Sequence, residues 1–295
     1  MQTVTQHPSS AISFPELCDA YMAAYRGRDP MVVVRLKFWN ERFKDTAPTE
    51  ISADDIEDAL AWLEVNPKSK RITVLSPKSL NLSLGVLSVV LNFAHSRRLM
   101  PRGWQNPCEN VKKRKGEQAR TRYLSEKEYE NLIKITRLAT WRKLTLLTLL
   151  AVTTGARKGS LIELKWGDID FERHEAYIER TKNGTPFILV LNEAVLEEFS
   201  RHAKGEPNQY IFESTRIAGK PLDFTKHWRK ALNEAHIEDA CFHTLRHTHA
   251  SWLARNGASL LQIADSLNHK SLSMVRRYSH LCTDSRRELV TKVFG

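Results

Sequence analysis

GDIDFERHEAYIERTKNGTPFILVL, residues 167–191, decides the architecture, because nearly everything around it reads as helix. Polar and apolar residues alternate along it, β-branched and aromatic side chains recur, and Asn183-Gly184 favours a tight hairpin turn. The pattern predicts three short antiparallel strands with Lys182 at the hairpin tip. Upstream, residues 141–154 make an apolar helical run stopped by Gly155, followed by a short helix over about 157–164. Residues 125–139 form a helix opened by a Ser125/Glu128 capping box. Downstream of residue 192 helices resume. One spans 244–256, with Leu245, Trp252 and Leu253 on its buried side and Gly257 as its stop. The next spans 259–267, from Ser259 to a stop at Asn268, and a further helix runs to about Arg277 and delivers Tyr278.

The first hundred residues show only helical signals. Ser13 and Glu16 form a capping box, Asp29 precedes Pro30 at a first helical position, Ser52 can cap a third helix, and Ser76-Pro77 opens the longest. In that last helix Leu80, Leu84, Leu87, Leu91 and Ala94 recur at alternating spacings of four and three, which makes one buried stripe. The expected fold is therefore mainly α with a small antiparallel β-sheet, in two domains. We place a flexible N-terminus at 1–12, a helical bundle at 13–108, a basic linker at 109–119 and an α+β domain with a C-terminal tail at 120–295.

Composition bounds the partner. A 41% hydrophobic content excludes a disordered chain, and a formal net charge of +11 favours a polyanion, nucleic acid before an anionic membrane surface. Residues 97–122 carry nine basic side chains against Glu109 and Glu117, so most of the excess lies here. Lys112, Lys113, Arg114 and Lys115 are its centre and candidates for phosphate-backbone contact. The opening MQTVTQHPSS is polar, and the longest apolar run, LTLLTLLAV at 144–152, is too short to span a bilayer. Cys18, Cys108, Cys241 and Cys282 lack metal or redox spacing and are expected to be reduced, in a cytoplasmic protein.

A second basic region runs from His243 to Leu281, where Asp265 is the only acid among Arg246, Arg255, Lys270, Arg276 and Arg277. His243 and Arg246 lie one helical turn apart at a helix start, where free N–H groups also favour an anion. His243, His247 and His249 raise the question of zinc, but no carboxylate is near in sequence and the adjacent Arg246 opposes a cation, so no metal is expected. No nucleotide-binding loop and no paired carboxylates for two-metal chemistry are present. Leu289/Val293 and Val290/Phe294 form apolar i,i+4 pairs in the tail, able to pack on their own domain or on a neighbour.

TTGARKGSLIELKW (153–166), TKNGTPFILVL (181–191), HTLRHTHASWL (243–253) and LNHKSLSMVRRYSHL (267–281), in this order, resemble the tyrosine recombinases of phage-integrase type. The resemblance implies a helical core-type DNA-binding domain, a basic linker and a catalytic domain. It further implies a site-specific recombinase that cleaves and rejoins double-stranded DNA through a 3′-phosphotyrosine, without cofactor, metal or ATP. Arg157, Lys182, His243, Arg246, His269 and Tyr278 match the family's catalytic positions, with Tyr278 as nucleophile. By the same resemblance the arginines hold the scissile phosphate, His243 helps manage the tyrosyl proton, His269 hydrogen-bonds the phosphate and Lys182 protonates the departing 5′-oxygen. A homotetramer in the synaptic complex is implied, from a monomer or weak dimer when free, with room for accessory DNA-bending proteins and none for a membrane. Other readings are a resolvase of chromosome or plasmid dimers, and a catalytically silent DNA-binding regulator on the same scaffold. Two positions depart from the family pattern. Ser160 stands where Glu is common, so that a partner for Arg157 is either lost or supplied by Glu163, and Asn268 stands where Gly is common. Asn tolerates the left-handed backbone that a helix end needs, so the second change is expected to be mild.

Overall fold

A computed structural model describes residues 12–67, 73–116, 121–179 and 186–295. The chain divides into two compact units, Met1–Ala119 and Arg120–Gly295.

The first unit is four helices: α1 (Phe14–Ala24), α2 (Met31–Arg42), α3 (Ala53–Val65) and α4 (Pro77–Ser96). Their starts follow from the local chemistry. Ser13 with Glu16, and Ser52 with Asp55, close reciprocal capping boxes, and the Asp29 carboxylate accepts from the Met31 N–H at 2.9 Å. By length and composition α4 could cross a membrane. Its stripe of Leu80, Leu84, Leu87, Leu91 and Ala94 is instead buried in the core of this unit, with Phe14, Trp39, Ile56 and Leu60. Trp39 also donates its indole N–H to the Ser83 carbonyl at 2.9 Å, which satisfies the one polar atom of a fully buried ring.

The segment read from sequence as a linker is anchored to this unit over its first half. Asn106 and a short 3₁₀ helix, Pro107–Glu109, bring Cys108 and Val111 into the core. Asn81 then holds the Arg114 backbone at both ends, donating to its carbonyl and accepting from its N–H, each at 2.8 Å. The Arg114 guanidinium pairs with Glu57 at 2.6 Å, an acid from another helix that sequence proximity does not reveal. Lys112, Lys113 and Lys115 are exposed.

The second unit holds α5 (Glu126–Arg137), α6 (Leu144–Thr154), α7 (Lys158–Ile162), strands β1 (Ile169–Asp170), β2 (Glu175–Ile178) and β3 (Phe187–Val190), then α8 (Glu193–Ser200), α9 (Thr225–Glu234), α10 (Thr244–Arg255), α11 (Leu260–Ser266) and α12 (Thr283–Phe294). The sheet is antiparallel in the order β1-β2-β3, and β2 pairs with β3 from Glu175↔Val190 to Ile178↔Phe187. Ala176, Ile178 and Leu189 face the core while Tyr177, Ile188 and Val190 face outward, as the alternation requires. Residues 180–185 lie outside the described residues, and with them Lys182 and the Asn183-Gly184 turn.

Two elements differ from the sequence expectation. Helix α6 is buried on nearly every face, and α10, which packs against it, is buried largely through polar residues. Thr244, Arg246, Thr248, His249 and Ser251 are interior, whereas Trp252 and Leu253 are only partly so. Tyr278 is not delivered by the end of an α-helix. It sits inside a 3₁₀ helix, Arg276–Cys282, which follows a shorter one at Leu272–Met274.

Candidate active site

Two chain reversals build the floor of the site. Gly155 ends α6 with φ at +62°, and a Cβ there would lie 2.5 Å from His249 and 2.7 Å from Leu267, so conformation and space both require glycine. Asn268 ends α11 with φ at +48°, the left-handed state expected for it. The His269 N–H reaches back to the Ala264 carbonyl and the Asn268 N–H to Asp265, both at 2.8 Å, the paired bonds of a Schellman ending. These two turns leave the carbonyls of Gly155 and Leu267 facing α10.

Arg246, 5% exposed, fills that space. One guanidinium nitrogen donates to the Gly155 carbonyl at 2.7 Å; the other donates to the Leu267 carbonyl and to His269 Nε2, both at 2.6 Å. A buried cation ordinarily needs a carboxylate. Here the carbonyl ends of two helices serve instead, where the helix dipole is negative. Burial and the nearby Arg157 push the Arg246 pKa down to about 10, still charged at neutral pH.

Arg157 caps the start of α7 and is partly buried, which lowers its pKa. Its guanidinium makes no hydrogen bond or ion pair among the described residues. Glu163, considered above as a substitute partner, makes no ion pair with it among those residues; with Ser160 it lines an open cleft of about 400 Å³ toward β2. His243 stands at the start of α10 and is exposed; desolvation, then Arg246, Arg157 and Arg277, lower its pKa. Desolvation followed by the same arginines, with a small contribution from His243, holds His269 at about 4. Because Nε2 of His269 accepts from Arg246, Nδ1 carries the hydrogen, and this buried atom has no partner among the described residues.

Tyr278 is 2% exposed, and its oxygen lies 2.6 Å from Nδ1 of His247. Burial raises the phenol pKa, against the smaller opposing pull of Arg277 and Arg246. Arg157, His243 and His269 are thus within electrostatic range of Arg246, and so is Tyr278. Among the described residues no carboxylate is one of the charges shifting these groups. Two of the three rings weighed for zinc are hydrogen-bonded to other groups. His247 faces Tyr278, while His249 bonds the Val152 carbonyl at 2.9 Å and the Ser266 hydroxyl at 2.7 Å, tying α10 to α6 and α11. Sequence reasoning assigned neither ring its place, because both partners are far along the chain.

Burial drives the His249 pKa down to about 4 from 6.5, so folding favours the neutral ring. Its contribution to stability is complete above pH 6.5 and is lost as pH falls toward 4, where the folded state must accept a proton that the unfolded chain binds readily. Urea unfolding of the second unit should show a loss of about 2–3 kcal/mol from this ring between neutral pH and about pH 4.5. His249→Gln should flatten the dependence; an unchanged slope in that variant would remove His249 as its cause.

Known proteins resemble this chain in sequence and in fold. The phage integrase family profile matches residues 122–284. The integrase of Salmonella phage P22 is 32% identical over 163 residues, 49% of this chain and 42% of that protein. The shufflon-specific DNA recombinase of Escherichia coli is 30% identical over 245 residues, 78% of this chain and 59% of that one. The chain thus spans less than two thirds of the length of either relative. A lambda integrase tetramer bound to a Holliday junction shares the fold, with a TM-score of 0.73 at 21% identity over 93% of this chain and 79% of that one. The family match covers more than half of the chain and contains Arg157, His243, Arg246, His269 and Tyr278, the five residues gathered around the two chain reversals: the protein belongs to the phage integrase family.

Proposed function

We propose that the chain is a site-specific DNA recombinase, an integrase of a phage or other mobile element, that breaks and rejoins double-stranded DNA through a 3′-phosphotyrosine at Tyr278. The observation that carries this is a pocket of converging cations beside a phenol, with no carboxylate of the described residues among the charges acting on it. Such a pocket is complementary to a phosphodiester, and more so to the extra charge of its pentavalent transition state. Arg157 presents an uncommitted fork among the described residues, and Arg246 supplies a rigid positive field from behind. His269 offers an N–H donor, and Lys182 is assigned the proton for the departing 5′-oxygen. Storing the bond as a phosphotyrosine lets a 5′-hydroxyl reverse the step, so neither metal nor ATP is called for.

The exposed Lys112, Lys113 and Lys115 are assigned to the DNA backbone, while Arg114, paired with Glu57, orders the segment that carries them. Val290, Val293 and Phe294 of α12 are exposed, Phe294 at 84%, which supports docking of the tail on a neighbouring protomer in a DNA-bound homotetramer.

A nicked suicide duplex tests the reaction. Strand cleavage lets a short 3′ fragment diffuse away, so an active enzyme accumulates as a protein–DNA adduct that survives denaturant. The adduct is expected at undiminished yield in EDTA. Cleavage that disappears in EDTA points to a metal nuclease, and binding without any adduct to a silent regulator.

A further inference from the structure

The phenol of Tyr278 is held by His247, a residue given no part in the mechanism above. The oxygen of Tyr278 and Nδ1 of His247 are 2.6 Å apart, and the rings lie 6.1 Å apart between centroids. His243 follows on the same face of α10, one turn away, with its ring 4.9 Å from that of His247. The histidine nearer in character to the family's proton-handling position thus stands one ring removed from the nucleophile. We propose that His247 is the direct proton acceptor for Tyr278, and that the transfer waits until a phosphodiester occupies the site. This rests on the recombinase reading.

The waiting follows from the charges around the ring. His243 on the preceding turn, Arg246 beside it on α10 and Arg277 from the 3₁₀ helix all oppose protonation, after burial as the main cause, and they hold His247 at about 4. The phenol is pushed above its usual 10. An acceptor and a donor so mismatched share a hydrogen bond while the proton stays on oxygen, and the nucleophile remains masked. The phenol is the more acidic partner, so it donates and Nδ1 accepts. A phosphodiester brings one negative charge into the cation pocket, offsets the repulsion at His247 and makes an imidazolium tolerable there. The O–H bond of Tyr278 then breaks as Nδ1–H forms. The phenol oxygen bonds phosphorus, the bond from phosphorus to the 5′-oxygen breaks, and that oxygen takes the proton assigned to Lys182. Rejoining runs the same transfers backward, and the imidazolium returns its proton to the phenol oxygen.

The test uses the full chain, the suicide duplex and two variants, His247→Ala and His247→Gln. Wild-type protein must form the adduct; if it does not, the recombinase reading fails first and this proposal with it. Both variants are expected to bind the duplex like wild type yet form the adduct more slowly by about 10²-fold or more, the usual range for a lost general base. Added imidazole should restore His247→Ala by about tenfold or more and leave His247→Gln, whose amide fills the space, little changed. A merely positional role would not be rescued by a free base. Either variant reacting within about threefold of wild type overturns the proposal, as does His247→Ala that binds DNA normally and ignores imidazole. Should His247→Ala not fold, the rate of the bulkier His247→Gln still decides between these outcomes.

Discussion

Tyr278→Phe is expected to abolish the covalent adduct completely while the second unit stays folded. The substitution removes one oxygen and keeps the ring that packs with Ala250, Ala254, Ile263, Leu267 and Val275. What is lost structurally is the hydrogen bond to His247, and Nδ1 of that ring is left without its donor. The cost is about 1–2 kcal/mol, within the range for a buried partner left unsatisfied. Under the proposed reaction the chemical loss is total, since the roles assigned to the remaining groups stabilise or shuttle charge without forming a bond to phosphorus. Electrophoresis of the suicide-duplex reaction in denaturant, beside a retardation assay for binding, separates the two effects. An adduct that persists in the variant would move the nucleophile elsewhere.

Arg246→Lys is expected to damage both stability and reaction, although charge is kept. The guanidinium joins three elements through bonds to the Gly155 carbonyl, the Leu267 carbonyl and His269 Nε2. An ammonium on a flexible stem cannot reach all three in that fork geometry. At least one interior acceptor loses its donor, at about 1–3 kcal/mol. The fixed positive field behind the proposed phosphate position also shifts, and loss of one such preorganised electrostatic contribution slows reaction by about 10²–10³. We expect an earlier urea midpoint together with adduct formation slowed to that extent. A variant with wild-type stability would show that this fork does not tie α6, α10 and α11 together.

The sequence was most legible where structure is set locally. Ser13, Ser52, Ser125 and Ser259 start helices because the cap and its partner lie three residues apart. The left-handed turn at Asn268 follows equally from the chemistry of one residue. The proposed catalytic set came from the resemblance, with motif spacing carrying what hydrophobic pattern could not. What stayed hidden depends on partners distant along the chain. Helix α10 is interior through Thr248, His249 and Arg246, because Leu124, Val152, Gly155 and Ser266 provide complementary hydrogen bonds. Apolar periodicity is blind to a helix buried in that way. Glu57 similarly answers Arg114 from 57 positions upstream. His247 was weighed only as a metal ligand because its hydrogen-bond partner, Tyr278, lies 31 residues on.

The anchorage of Arg246 on two backbone oxygens, at Gly155 and Leu267, has a genetic consequence. Inactivating changes need not strike any side chain that meets DNA. A bulky or β-branched residue at position 155 or 268 would swing a carbonyl aside, unseating the guanidinium while every reacting group remained encoded. Screens for inactive variants of this protein should therefore recover hinge-like lesions in two short bends, and these should cluster in phenotype with losses of the proposed reacting groups although neither bend carries one.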